Sequence, residues 1–329
     1  MEQNKNYTID DIAKEMGVSK TTVSRALSGK GRIGKETARR IKEFAREHNF
    51  SPNVMARGLA QSKTYNIALM LPPDFGENEI SFFKECMNGI CKVAGANDYD
   101  VLISMMESQL ERMVINHKVD GVILSRSMID AKTQKYLKTT SLPFVVVGSG
   151  NEENVHYIDN DNRKGCKDIT EILLLKGMKK LALIGGDETH QVTESRKAGF
   201  EDALKAQNIP VDNDCIYMNV DSYIKASKAV NKAIESGCQC IVCMDDYVCN
   251  LVLEALHVKK ISVPRDIKVA SFYDSKMLEH NNPAITSLHF NTKILGQKAG
   301  ELMLSLLGED VGDETGELGY QVILRESTN

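Results

Sequence analysis

The sequence contains no apolar run approaching the roughly 20 residues that a membrane-spanning helix needs, which excludes a helical membrane protein. Its first residues, Met1-Glu2-Gln3-Asn4-Lys5-Asn6, lack the apolar core of a signal peptide. The chain is therefore expected to stay in the cytoplasm, with its eight cysteines reduced. Signatures of chemistry are also sparse. Gly185-Gly186-Asp187 follows an apolar run, but it has neither the full dinucleotide-binding glycine pattern nor the lysine of a phosphate loop. His190 has no serine or cysteine triad context. Asp245 and Asp246 are adjacent, so they project differently and do not place two carboxylates across a bond. Cys238, Cys240, Cys243 and Cys249 are residue types that hold zinc or iron–sulfur clusters, without the paired spacing of a structural zinc site. On a strand, Cys240 and Cys243 point to opposite faces, and such cysteines serve as small buried hydrophobes. No catalytic residue, metal or cofactor is expected.

What is present is concentrated at the amino end. Residues 1–63 hold 13 Lys and Arg against 7 Asp and Glu, a net charge of +6, while the whole chain is −4 and the remainder −10. A basic head on an acidic body favours phosphate contact at one end and repels nucleic acid elsewhere. Within that head, Thr8 is placed to cap a helix whose first turn carries Asp10 and Asp11, and Ile9, Ile12, Ala13 and Met16 form an apolar stripe. Gly17 ends it. Ser19 caps a second helix in which Val18, Val23 and Leu27 face inward and Lys20, Thr21, Thr22, Ser24 and Arg25 face outward. This is the arrangement by which a helix-turn-helix presents its reading helix to a major groove. A third helix, about 35–49, buries Ala38, Ile41, Phe44 and Ala45 and leaves Arg39, Arg40 and Arg46 in solvent. After Ser51-Pro52, Asn53 caps a segment, Val54 to Ala60, too short to be helical by itself and expected to order on contact with DNA or a partner.

Beyond Thr64 short apolar runs alternate with amphipathic stretches. Strands are expected at Asn66 to Leu71, Val101 to Met105, Gly121 to Leu124 and Phe144 to Val147, with helices at about 79–97, 107–117 and 131–139. A second series places strands at Leu181 to Ile184, Cys215 to Met218, Cys240 to Met244 and Lys268 to Phe272. Such alternation means parallel sheets covered by helices on both faces, arranged as two similar lobes. Ligands of open parallel sheets bind beyond the carboxyl ends of the strands, so facing lobes enclose a cleft.

Three ordered segments, IDDIAKEMGVSKTTVSRAL, HNFSPNVMARGLA and ESRKAGFEDAL, resemble the lactose-repressor (LacI/GalR) family of bacterial transcription regulators. The resemblance implies an α/β protein: an all-α helix-turn-helix DNA-binding head, a hinge helix, and a two-lobed periplasmic-binding-protein-like domain of parallel sheets. It places the head at residues 1–52, the hinge at 53–63 and the effector-binding and dimerisation domain at 64–329. The N-lobe is expected at about 64–159 and 290–318, the C-lobe at about 163–287 and 319–329, with the chain crossing near 158–162, near 288–291 and before Tyr320. Lys20, Thr21 and Arg25 are implied to contact bases or phosphates, supported by Thr8, Ser19, Thr22 and Ser24. In the hinge, Asn53, Ala56 and Arg57 meet DNA and Leu59 wedges into the minor groove, kinking the duplex.

Arg196, in Glu194-Ser195-Arg196-Lys197-Ala198-Gly199-Phe200, matches the family's ligand-contacting arginine. Its planar fork suits vicinal hydroxyls or a carboxylate. Asp245 departs from the usual Asn and accepts hydrogen bonds only. In Lys268-Val-Ala-Ser-Phe-Tyr-Asp, Ser271 stands for the usual Gly and Tyr273 for the sugar-binding Asp, with Asp274 one place later. The expected ligand is a sugar-like polyol meeting Arg196, Asp245 and either Tyr273 or Asp274, with Phe82 or Phe83 and Ser125 from the other lobe. The expected protein is a homodimeric repressor of carbohydrate-use genes on a pseudopalindromic operator, without the trailing leucine heptads that tetramerise some relatives. A regulator switched by a protein partner or nucleobase-type corepressor, or a metal or redox sensor built on Cys238 to Cys249, is the competing reading.

Overall fold

The computed structural model describes residues 7–28, 32–48, 50, 58–59, 61–72, 80–125, 131–150, 152–311 and 318–329. Two compact units divide the chain, Met1–Tyr65 and Asn66–Asn329.

The first unit is helical. Helix α1 (Ile9–Met16) opens with a reciprocal cap: the Asp11 backbone N–H donates to Thr8 Oγ1 at 3.2 Å, and the Thr8 backbone N–H donates to Asp11 Oδ2 at 2.9 Å. Gly17 closes it at φ 64°, a left-handed conformation that a side chain would strain. Helices α2 (Lys20–Ser28) and α3 (Lys35–Glu47) follow. Ile12, Ala13, Val23, Ala26, Ile41 and Ala45 form the core of this unit, flanked by Ile9, Met16, Val18, Leu27 and Phe44. The expected stripes of all three helices therefore meet in one small cluster. Arg39 is bound on the surface of α3 between Glu36 and Glu43.

The second unit holds two sheets. In chain order its elements are β1 (Asn66–Met70), α4 (Ile80–Ala96), β2 (Asp100–Ser104), α5 (Glu107–Ile115), β3 (Gly121–Leu124), α6 (Ala131–Thr139), β4 (Phe144–Val147), β5 (His156–Ile158), α7 (Asn162–Leu175), β6 (Leu181–Ile184) and α8 (Gln191–Ala206). There follow β7 (Ile216–Tyr217), α9 (Tyr223–Glu235), β8 (Cys240–Cys243), α10 (Asp246–Val258), β9 (Lys268–Ser271), α11 (Lys276–Glu279), β10 (Thr286–Phe290), α12 (Thr292–Leu306) and β11 (Tyr320–Ile323). The first sheet, β2-β1-β3-β4-β5, is parallel throughout. The second, β11-β10-β9-β8-β6-β7, is parallel except for the β10–β11 pair. Fully buried runs such as Leu181–Ile184 and Phe144–Val147 are what strands covered on both faces require.

Three features differ from the sequence reading. Strand β5 is only three residues of an edge, and β10 carries the exposed His289 within Thr286–Phe290, so neither reads as an apolar run. Because β10 extends to Phe290, which packs in the second sheet's core, the chain leaves that sheet at Asn291, and Leu288 lies inside the sheet. The anticipated strand Cys215–Met218 shrinks to Ile216–Tyr217, preceded by a helical turn at Asn213–Cys215.

Helix α12 lies against α4, β3 and β4 of the first sheet. Glycine makes this possible. A Cβ on Gly296 would lie 2.0 Å from the Cys86 carbonyl oxygen, and one on Gly89 would lie 2.2 Å from the Lys293 carbonyl oxygen, so the two helix backbones touch where neither has a side chain. No helix among the described residues is long and apolar enough to cross a membrane.

Candidate DNA-reading surface and ligand site

In the helical unit, Lys20, Thr21, Ser24 and Arg25 are exposed on α2. Lys20 Nζ lies 2.5 Å from Asp10 Oδ1, with both groups well solvated, so DNA phosphates can compete for it. Thr8 and Ser19 spend their hydroxyls on the helix starts. Ser19 Oγ accepts from the Thr22 backbone N–H at 3.1 Å and shares a 2.8 Å bond with Thr22 Oγ1. Thr22 is accordingly half-buried rather than outward. Asn53, Ala56 and Arg57 lie outside the described residues; Leu59 is 86 % exposed.

In the second unit, polar groups gather beyond the carboxyl ends of β6, β8 and β9, next to the crossover from β5 to α7. Arg196, on the first turns of α8, is held by two internal bonds. Its Nε donates to Asn162 Oδ1 at 3.2 Å and its Nη1 to the Met244 carbonyl at 2.7 Å. Its guanidinium carbon sits 5.9 Å from the centroid of the Tyr273 ring, a cation–π distance. Asn162 is itself anchored, its Nδ2 donating to the Asn160 carbonyl at 3.2 Å and to Asp159 Oδ2 at 3.4 Å. Asp159 accepts from Ser149 Oγ at 2.6 Å, which joins the end of β4 to the end of β5.

Burial works against the charged carboxylates of this site. It pushes the Asp159 carboxyl above its ordinary value, against the opposing Ser149 and Asn160 donors and the Arg196 charge. Asp246 is pushed up to about 6, again chiefly by burial, with Ser275 opposing and the adjacent Asp245 adding to the rise. Asp245 caps α10, accepting from the Val248 N–H at 2.8 Å. Burial also raises the Tyr273 phenol, with Thr292 and Arg196 working the other way. One buried polar atom here, Asn160 Oδ1, has no hydrogen-bond partner among the described residues. Such atoms cost about 1–3 kcal/mol each when left unmade, which marks a place where water or a ligand completes the network.

The remaining expected contacts divide. Phe83 is buried and packs edge-on to Phe82, with ring centroids 5.3 Å apart, so Phe82, half-buried, is the more accessible of the two. Ser125 is buried and donates to the Met70 carbonyl at 2.8 Å, tying the ends of β1 and β3. Asp274 has other employment. Arg325 Nη1 and Nη2 donate to its two oxygens at 2.7 and 3.2 Å, Ser287 Oγ donates at 2.8 Å, and His289 lies at 3.4 Å. Burial would raise its carboxyl, but the Arg325 guanidinium and Ser287 hydroxyl outweigh that and hold it below the usual range. Of the two candidates after β9, Tyr273 stands beside Arg196 and Asp274 clamps β9, β10 and the end of β11. Asp159, Asn160, Asn162 and Ser275 were not marked in the sequence; the crossover position of the first three was the available signal.

The cysteine group does not assemble. Cys240 packs with Leu183 and Val242 on one face of the second sheet, and Cys243 with Cys249 on the other, as strand alternation dictates. Among the described residues no group of three or more His, Cys, Asp or Glu is arranged to hold a metal. A separate cavity of about 420 Å³ lies beside α12, lined by Ile158, Lys298, Glu301 and Leu302, away from Arg196.

A helix-turn-helix unit and a pair of parallel sheets with a polar site at their strand ends define the class: a DNA-binding transcription regulator rather than an enzyme. Comparison with known proteins makes this specific. Residues 8–53 match the bacterial regulatory proteins of the lacI family, and residues 170–328 match the periplasmic binding protein-like domain. The chain is 32 % identical to the HTH-type transcriptional regulator MalR of Streptococcus pneumoniae, over 92 % of this chain and 93 % of that one. It is 26 % identical to catabolite control protein A of Staphylococcus xylosus, over 93 % and 94 %. A solved transcriptional regulator CelR–cellobiose complex shares the fold with a TM-score of 0.71 and 23 % identity, covering 98 % of this chain and 99 % of that one. This chain belongs to the lacI family of bacterial regulatory proteins.

Proposed function

We propose that this regulator is a homodimeric repressor whose operator affinity is changed by a neutral, hydroxyl-rich ligand, a sugar or sugar derivative, bound among Arg196, Asp245, Asp246, Tyr273 and the β5–α7 crossover. On this reading residues 1–52 are the DNA-binding head, 53–63 the hinge, and 64–329 the effector and dimerisation domain. The observation that carries it is the combination of an arginine pre-positioned by Asn162 and Met244 with a buried acceptor in the same region, Asn160 Oδ1, that has no hydrogen-bond partner among the described residues. Carboxylates and an arginine fork together recognise vicinal hydroxyls, which donate to the former and accept from the latter.

The charge balance supports a neutral ligand. Asp159, Asp245 and Asp246 accompany Arg196, and a phosphorylated ligand would meet more negative charge than positive among these groups. Lys20, Thr21 and Arg25 supply the reading of the operator, and the arginine is suited to a bidentate contact with guanine. Leu59, 86 % exposed, is available as an apolar wedge. Closure of the lobes on the ligand would change how the two hinges of a dimer meet, and so the population competent for DNA.

Fluorescence anisotropy with labelled DNA from upstream of the gene, titrated in the presence of neutral sugars and their phosphates, tests the reading. The expected result is nanomolar-range binding that weakens steeply with salt and shifts on addition of a neutral sugar, with the shift abolished by Arg196→Ala. A salt-independent association, or a response to phosphorylated sugars alone, would overturn it.

A further inference from the structure

Eight cysteines remain unused by the proposed DNA-reading and ligand-binding functions; Cys243 and Cys249 meet in the fully enclosed core, and a second pair lies nearer the surface. Cys238 Sγ lies 3.5 Å from Cys215 Sγ, although 23 positions separate them in the chain. Cys215 Sγ in turn donates to Asp212 Oδ2 at 3.3 Å, and Asp212, on the surface, faces Lys180 Nζ at 3.5 Å. The buried Tyr217 hydroxyl completes the surroundings. Cys238 is 8 % exposed and Cys215 3 %, whereas Cys166, Cys240, Cys243 and Cys249 are fully enclosed. Cys91, on the surface, is the most accessible cysteine; within the pair, a small oxidant reaches Cys238 before Cys215.

We propose that Cys215 and Cys238 form a dithiol that closes to an intramolecular disulfide under peroxide, stapling the entry of β7 to the entry of β8. The sulfurs need to approach by only about 1.5 Å to reach the bond length of about 2.05 Å. Reaction begins when the Cys238 thiolate attacks one peroxide oxygen. A sulfur–oxygen bond forms, the oxygen–oxygen bond breaks, and the departing hydroxide takes up the thiol proton as water, leaving Cys238 as a sulfenic acid. Cys215 sulfur then attacks the Cys238 sulfur. The sulfur–oxygen bond breaks, and the second hydroxide leaves as water with the Cys215 proton, passed along the hydrogen bond to Asp212 and solvent. Two thiols and one hydrogen peroxide thus give one disulfide and two waters.

The pair is slow at neutral pH and faster in alkali. Burial pushes the Cys215 thiol up to about 12, with Cys238 and Asp212 adding to the rise. Burial raises Cys238 as well, while the hydrogen bond with Cys215 and the Lys180 charge work against it. Asp212, Lys180 and Tyr217 are the other titratable groups facing the pair. Both cysteines stand at the amino ends of their strands, opposite the carboxyl ends where Met244 and Arg196 lie. The staple accordingly stabilises the sheet without occupying the ligand site.

The full-length protein is treated with hydrogen peroxide at pH 7 and pH 8.5, alkylated without reduction, and mapped by peptide mass spectrometry. The expected result is a Cys215–Cys238 cross-linked peptide, more abundant at pH 8.5, with two alkylatable thiols lost. A rise of several degrees in melting temperature should accompany it, absent in the treated Cys215→Ser and Cys238→Ser proteins. Recovery of both cysteines alkylated from protein still folded at pH 8.5, or accumulation of Cys238 as a dimedone-trapped sulfenic acid without cross-link, would overturn the proposal. The wild-type peptide map decides it even if a serine variant fails to fold.

Discussion

Replacing Asp274 by alanine removes one partner of a buried ion pair, and the size of the effect follows from the partner left behind. The Asp274 and Arg325 side chains are 8 % and 12 % exposed, and the guanidinium meets the carboxylate through two nitrogens, at 2.7 and 3.2 Å. Breaking such a pair from one side costs about 3–5 kcal/mol, because an uncompensated charge stays buried. Arg325 Nη1 retains bonds to the Ile285 carbonyl and Ser287 Oγ, both at 2.7 Å, which places the expected loss at the lower end. A loss of about 3 kcal/mol corresponds to a fall of roughly 6–12 °C in melting temperature for a unit of this size. Urea denaturation followed by circular dichroism measures the loss, and the Asp274→Leu, Arg325→Met double variant should recover most of it. Acid should close the gap between wild type and variant. The folded carboxyl lies below its unfolded value of about 3.9, so its contribution is present above that pH and is lost as pH falls through the folded value. A variant within about 1 kcal/mol of wild type at neutral pH would refute the assignment of Asp274 to the β9–β10–β11 clamp and return it to the ligand site.

Four further outcomes are expected. Asp246→Asn should stabilise the protein above pH 6 by up to about 3 kcal/mol, since a tenfold change in proton affinity between the folded and unfolded chain is worth about 1.4 kcal/mol. The wild-type carboxyl is raised to about 6, so its stabilising contribution is full below about pH 4 and lost as pH rises through 6; equal stability of the two proteins at pH 7.5 would count against that burial. Gly296→Ala drives a Cβ to 2.0 Å from a carbonyl oxygen of α4 and should cost about 1–3 kcal/mol, read from the denaturant midpoint. Thr8→Ala removes the reciprocal cap of α1 and should cost the head about 1 kcal/mol, visible as earlier loss of helical signal in thermal melts. Leu59→Ala should leave the melting temperature unchanged and weaken operator binding in the anisotropy assay, because the side chain is exposed and its proposed partner is DNA.

Much of the molecule is encoded by chemistry that acts between near neighbours in the chain. A cap, a left-handed glycine and an apolar stripe are read within one or two turns, so α1, α2 and α3 were legible, including the Thr8 cap and the inward Val23. The buried strands β1, β3, β4, β6, β8 and β9 were legible for the same reason: continuous apolar runs between amphipathic stretches admit few other folds. Arg196 was marked as a candidate through its place in a matching segment.

Features that depend on partners distant in the chain were settled by the assembled fold. Asp274 and Tyr273 are neighbours with opposite fates, because Arg325, 51 positions away, captures the first while Arg196 lies beside the second. Asn160 Oδ1 is an ordinary polar atom until the fold buries it without a partner among the described residues. Strands β5 and β10 are too short or too polar to signal themselves, and exist because a neighbouring strand offers its backbone groups. Cys238 looked like part of a cluster with Cys240, Cys243 and Cys249, yet strand alternation turns Cys240 to the opposite face of the sheet, and the parallel pairing of β7, β6 and β8 brings Cys215 to Cys238. Local periodicity fixes which residues turn inward; which groups then meet is set by how the sheets assemble.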